Sequence, residues 1–164
     1  MEKKETLLAF LRFLKERCSF SFNKDSFEDR LQLQKKVYVA GFLGLGHGYR
    51  FSRYIRGPYS PPLAKDYYSI ESEELKRIED YSSSLGSFDG ERFLDLVGGK
   101  STRWLEIAAT VLSVWADYCN TFHGEELKKR VVLTVKGLKG SATSDEIPDI
   151  FSELERKGLL KTNC

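Results

Sequence analysis

Cysteine is scarce in this chain, and what there is falls at Cys18, Cys119 and Cys164, widely spaced and without a CxxC pair. That excludes the even, patterned framework of a small secreted domain stapled by disulfides. Histidine is scarcer still. His47 and His123 have no Cys or His partner at metal-ligand spacing, so neither a metal nor a cofactor is expected. Long apolar runs are missing too: Val37–Tyr49 and Ile107–Ala116, the longest uncharged stretches, are too short to cross a bilayer. The charged start, Met1 to Glu5, opens straight into an amphipathic stretch rather than a signal-peptide apolar core. Neither sign of charge dominates, since 26 Lys+Arg stand against 24 Asp+Glu, and net charge alone implies no polyanionic partner. With 41% hydrophobic and 30% charged residues over 164 positions, the expectation is one soluble domain, residues 1–164, in a cytoplasmic setting with no membrane partner.

What is present reads mainly as helix. Leu7, Phe10, Leu11, Leu14 and Cys18 repeat at helical spacing and predict an amphipathic helix over 3–18. Ser26, followed three residues later by Asp29, starts a second helix from about Phe27 to Phe42, with Phe27, Leu31, Val37, Tyr38 and Phe42 turned inward. Gly41, Gly44, Gly46 and Gly48 end it, because glycines so dense cost a helix too much backbone entropy. Tyr49–Arg56 alternates as a short strand, and Gly57-Pro58 closes it as a turn. Ser60 caps a helix opening with Pro61 and Pro62, where missing amide donors do no harm. Further helices are expected at Glu71–Ser83, Gly90–Val97, Ser101–Cys119, Leu127–Leu138 and Asp145–Lys157. The Ser101–Cys119 helix is apolar on more than one face and predicts a buried spine. After Gly158, Leu159–Thr162 suggests a short terminal strand. The expected class is mainly α, a helical bundle with a short β-hairpin or strands. The helix, turn, helix and strand-like tail at its end follow the order of a winged helix-turn-helix. An amino-terminal module of about 1–70 precedes a helical part of about 71–164.

Charge is segregated along the chain. From Arg30 to Lys65 there are seven basic residues and no Asp or Glu, interleaved with Tyr38, Phe42, Tyr49, Phe51, Tyr54 and Tyr59. Lys35, Lys36, Arg50, Arg53 and Arg56 suit phosphates, and Tyr54 and Tyr59 suit base stacking. Lys128, Lys129, Arg130, Lys136 and Lys139 form a second basic run, while acids gather at Glu71 to Asp95 and from Asp145 to Glu155. The opposing reading pairs the arginines with those acids inside the domain. The last helix carries Asp145, Glu146, Asp149 and Glu153, which phosphates would repel, so it suits packing or a protein partner.

Enzyme signatures are thin. The glycines at 41–48 follow a helix rather than a strand, and no GKS or GKT is present, so a phosphate loop is not expected. No Ser, Cys or Thr sits in a nucleophile motif. A site near His47 and Tyr49 is the remaining enzymatic option.

Leu33-Gln34-Lys35-Lys36-Val37-Tyr38 resembles the "LQKLVY" helix of the YwgA-type family, and Tyr49-Arg50-Phe51 with Tyr54-Ile55-Arg56-Gly57-Pro58-Tyr59-Ser60-Pro61 resembles that family's "Y.F..Y.YGPYSP" segment. A more distant similarity runs to the Panacea (SocA-like) antitoxin domain. The match covers roughly residues 27–70, with an echo at Glu146–Leu160; Lys36 and Arg56 stand where the pattern often has apolar or aromatic residues. The resemblance implies a mainly helical, winged-helix-like domain and, for Panacea relatives, neutralisation of a partner protein by direct binding. The functional expectation is a non-enzymatic regulator or adaptor binding nucleic acid through the basic-aromatic segment. The alternative is an antitoxin-like module binding a protein; a homodimer is left open.

Overall fold

The helix from Thr102 to Tyr118 buries Leu105, Ile107, Ala108, Val111, Leu112, Val114 and Trp115, and in this computed structural model the other elements are laid around it. The structure describes residues 2–78, 80–140 and 145–161. In chain order the elements are α1 (Lys3–Cys18), α2 (Phe27–Gly41), β1 (Ser52–Tyr54), β2 (Gly57–Tyr59), α3 (Pro61–Tyr68), α4 (Ser72–Lys76), α5 (Ser82–Leu85), α6 (Gly90–Val97), α7 (Thr102–Tyr118), α8 (Gly124–Leu138) and α9 (Glu146–Arg156). The protein is mainly helical with one two-stranded antiparallel sheet among the described residues. No helix among them is long and apolar enough to cross a membrane.

Local chemistry explains the starts and stops. Ser26, Ser60, Asp89 and Ser101 each accept a hydrogen bond from the amide three residues on, satisfying a donor that the first helical turn leaves unpaired. Pro61 and Pro62 occupy the first turn of α3, where no amide is needed. Gly158, at φ +81°, takes the left-handed conformation that ends α9.

Helix α7 is apolar around most of its circumference, as suits an element covered on several sides. It packs against α2, α8, α9 and strand β2. At the amino-terminal end, Phe10 and Phe13 of α1 meet Phe88 and Phe93 edge to face, with ring centroids 5.3–6.0 Å apart.

Four expectations need correction. Gly57-Pro58 does not follow the strand as a turn; it begins β2, and the chain reverses at Ile55–Arg56, with Ser52 opposite Tyr59 and Tyr54 opposite Gly57. The helix expected at Glu71–Ser83 is two short ones, α4 and α5, because Asp80 binds the Ser82 amide and hydroxyl and starts the chain afresh there. Phe27 is not inward but 57% exposed, since the core takes the Leu33–Val37–Ala40 stripe of α2. Leu159 to Lys161 form no strand, and Thr162 lies outside the described residues.

Gly57 holds the tightest backbone position beside this hairpin. Its φ is +91°, and a Cβ there would come within 2.6 Å of Thr110 Oγ1 on α7. Gly57→Ala is expected to cost about 1–3 kcal/mol in urea unfolding, from left-handed strain and the forced retreat of the hairpin. Gly46→Ala, where a Cβ meets nothing within 4 Å, is expected to stay within about 0.5 kcal/mol.

Candidate functional site

Helix α2 carries two apolar stripes, and only one of them is core. Leu33, Val37 and Ala40 are buried, whereas Phe27 and Leu31 line one cleft and Tyr38 and Phe42 line another. Between the stripes lie Gln34, Lys35 and Lys36, all three buried. A buried polar group needs a partner, and each has one.

Gln34 reads the main chain of Ser60 from both sides: its Nε2 donates to the Ser60 carbonyl at 3.0 Å, and its Oε1 accepts from the Ser60 amide at 2.8 Å. Ser60 in turn caps α3. Lys35 Nζ, on a residue only 1% exposed, donates to the Pro58 carbonyl at 2.6 Å. Lys36 Nζ donates to Gln32 Oε1 at 3.0 Å and lies 3.7 Å from the centre of the Phe20 ring. The run Gln34-Lys35 thus grips the segment from Pro58 to Ser60.

The lysines expected at phosphates therefore point inward. Burial lowers Lys35 to about 8, opposed by Glu106 and reinforced by the charges of Lys139 and Arg56. Burial lowers Lys36 as well. The arginines are engaged in turn: Arg53 Nη1 meets Asp117 Oδ2 at 2.6 Å and Ser113 Oγ at 2.9 Å, and Arg56 Nη1 lies 3.5 Å from Glu106 Oε1. Of the five cations proposed for phosphates, Lys35, Lys36 and Arg50 form no ion pair among the described residues, and of these three Arg50 alone is exposed. The carboxylates that neutralise this segment come from α7, far away in sequence.

Tyr54 and Tyr59 do come together, with ring centroids 5.2 Å apart and planes at 62°. They stand on a cleft of about 520 Å³ between α2, the hairpin and α3, lined also by Phe27, Arg30, Ile55, Arg56, Tyr67 and Tyr68, with Gln34 and Lys35 among its walls. Its rim is apolar and open to water. Ile55 at the hairpin turn is 96% exposed, and Phe27, Tyr54 and Tyr68 are 50–57% exposed. Arg30 and Arg56 both lie over the Phe27 ring, 5.8 Å and 5.3 Å from its centre. Arg30 also lies 5.8 Å from the centre of the Tyr68 ring and donates to the Lys24 carbonyl at 2.8 Å. Burial raises the Tyr67 hydroxyl to about 12. Sequence reading missed Phe27, Arg30, Ile55 and Tyr68 as site residues. The readable signal was Phe27 at the first position of its helix, beyond the reach of the Leu33 stripe.

His47 and Tyr49 lie in the other cleft, of about 530 Å³, with Tyr38, Phe42, Phe51 and Trp115. His47 Nδ1 accepts from the Tyr49 amide at 2.9 Å and burial lowers its pKa, so the ring is held neutral. Tyr49 donates its hydroxyl to Asp66 at 2.6 Å, and burial beside that carboxylate holds its proton on. Gly41 leaves the space His47 fills, since a Cβ there would meet Nε2 at 2.8 Å. His47 Nδ1 and the Tyr49 hydroxyl are thus taken up by hydrogen bonds within the wall.

On α9, Glu146 takes a two-pronged bond from Arg103 at 2.8 Å, and Glu153 pairs with Lys100 at 2.8 Å, leaving Asp145 and Asp149 exposed. Cys18 is half-buried and burial raises its thiol, whereas Cys164 and Glu79 lie outside the described residues. Among the described residues no group of three or more His, Cys, Asp or Glu side chains is placed to hold a metal ion. Compared with protein-family models, curated proteins and solved structures, the chain gives no match, so its function has to be argued from its own geometry.

Lys35 gives stability a pH signature. Its folded pKa lies below the unfolded value, so between about 8 and 10 the unfolded chain binds more protons and stability rises with pH. Above 10 the raised pKa values of Tyr38 and Tyr67, each about 12, reverse the slope. Urea midpoints at pH 7.5 and 9.5 are expected to show a gain on the order of 2 kcal/mol from Lys35, absent in Lys35→Met.

Proposed function

We propose that this chain is a non-enzymatic recognition module that binds a segment of a partner protein in the cleft between α2, the β1–β2 hairpin and α3. One observation carries the reading: Phe27, Tyr54, Ile55 and Tyr68, all apolar and open to water, surround a single cleft. Exposed apolar residues are ordinarily scattered singly, whereas a gathered aromatic rim with arginine is the composition of an interface centre. The hairpin is pinned by Gln34 and Lys35, so a partner would order little chain on docking.

The antitoxin-like alternative thus moves from the acidic α9, whose Glu146 and Glu153 are occupied within the molecule, to the amino-terminal module. The resemblance to the YwgA-type and Panacea families supports this, since Panacea relatives act by binding a partner directly. The order α7, α8, α9 supports a helix-turn-helix-like carboxy-terminal half in which α9 serves packing, without a wing strand at Leu159–Lys161. A second reading keeps nucleic acid as the ligand, single strands stacked on Tyr54 and Tyr59 with Arg50 and Arg56 at phosphates. The edge-to-face tyrosine pair favours it. Its weakness is the shortage of free cations, since a phosphate track draws its affinity from several.

Panning a displayed random-peptide library against the protein tests the two readings. Peptides are expected to bind the wild type and to lose at least about tenfold in affinity with Ile55→Asp or Tyr54→Ala. If no peptide distinguishes these variants, and an oligonucleotide binds with a steep salt dependence that Arg50→Ala flattens, the nucleic-acid reading replaces this one.

A further inference from the structure

The walls of this cleft hold more positive charge than the fold neutralises. Glu106 on α7 is shared: its Oε1 lies 3.5 Å from Arg56 Nη1 and its Oε2 lies 3.3 Å from Lys139 Nζ. Lys35 feels the same carboxylate and is repelled by both neighbouring cations. Three cations thus converge on one carboxylate, and two of them, Lys35 and Lys139, are buried. Lys139 Nζ also reaches the Ile55 carbonyl at 3.4 Å, which brings its charge to the hairpin turn. At the same Phe27 ring Arg30 adds a fourth charge, whose hydrogen bond goes to a carbonyl and not to a carboxylate.

Charge left over beside an apolar cleft is an incomplete interaction. Arg56 is 57% exposed at its side chain, and its contact with Glu106 is long for an ion pair. A guanidinium backed by an aromatic ring is already held in orientation, and its edge is free to donate two parallel hydrogen bonds to a planar anion. The apolar rim needs an aliphatic or aromatic anchor, while the cations need an anion at its side.

We propose that the protein segment bound here carries an acidic side chain next to its apolar anchor, and that Arg56, with Arg30 at the same Phe27 ring, takes that carboxylate. This rests on the cleft being a protein-docking site, and it adds the chemistry of what docks. The carboxylate brings the charge that Glu106, divided between Arg56 and Lys139, does not supply. The same surplus makes an acid-free or basic segment a poor occupant, through like-charge repulsion at a low-dielectric wall.

Sequencing the peptides selected on the wild type, and exchanging their acid for its amide, tests this. The selected peptides are expected to share an Asp or Glu at a constant spacing from a Phe, Trp, Leu or Ile. Glu→Gln in the peptide is expected to weaken binding about tenfold on the wild type, and less than about twofold on Arg56→Met or Arg30→Met. Tyr54→Ala, which spares both arginines and adds no charge, is expected to weaken the acidic and amide peptides in a similar ratio. Cleft-bound peptides without an acid, or a Glu→Gln effect unchanged in both arginine variants, would overturn the inference and leave the docking cleft standing. Peptides indifferent to Tyr54→Ala and Ile55→Asp, or no enrichment, would overturn both.

Discussion

Everything in the amino-terminal half depends on one helix side chain pair holding a stretch of main chain that cannot hold itself. Strands β1 and β2 are three residues each, and a two-stranded ribbon of that length has little stability alone. Pro58 gives it no amide, so one ladder donor is missing from the start. Gln34 and Lys35 make up the deficit from outside, taking both polar groups of Ser60 and the carbonyl of Pro58. Gly57 allows the close approach to α7 that puts those carbonyls within reach. The hairpin is therefore held by α2 and α7 in addition to its own pairing, and the start of α3 is fixed with it through Ser60.

This arrangement also explains why Lys35 occupies the buried side of its helix. A carbonyl facing an apolar wall would cost as much as a lost hydrogen bond, and a long side chain from the neighbouring helix can reach it. Lysine spans the gap with an apolar stem and delivers donors at its tip. The ammonium is costly to bury, which is why Lys35 is driven down to about 8. Its cost is offset by the Pro58 bond and by Glu106, so the clamp needs the carboxylate of α7 nearby.

Much of the scaffold was legible in the residues. The capping serines at 26 and 60, the prolines at 61 and 62, and the apolar periodicity of α1 and α7 are local signals, and local physics decides them. What was not legible is non-local. The acid-free segment from Arg30 to Lys65 reads as a basic surface only while α7 is out of sight; Asp117 and Glu106 come from it and meet Arg53 and Arg56. Helical periodicity likewise marks Phe27, Leu31, Tyr38 and Phe42 as an apolar stripe without saying whether a core or a cleft receives it. Tyr54 and Tyr59 were readable as aromatic residues of one basic segment, but their meeting depends on a reversal at Ile55–Arg56, where the sequence suggested Gly57-Pro58 instead. Phe27, Arg30 and Tyr68 complete that site from α2 and α3, and no spacing in the sequence joins them.

The same clamp that orders the hairpin determines what its surface can do. If Lys35 and Lys36 faced water, this half of the molecule would present a cationic sheet suited to any polyanion. Drawn inside, they remove that nonspecific attraction and leave a small number of arginines beside aromatic rings. Guanidinium over a ring is weakly hydrated and directional, so its preference is for a planar carboxylate in one place rather than for a field of phosphates. Rigidity strengthens the preference, because Ile55 and Arg56 ride on a turn whose flanking carbonyls are tied down at Ile55 and Pro58. An apolar tip that water disfavours, a ring that orients a cation and a turn that does not yield are the features on which the proposed docking rests. Each of them follows from the decision of α2 to spend its polar residues inward.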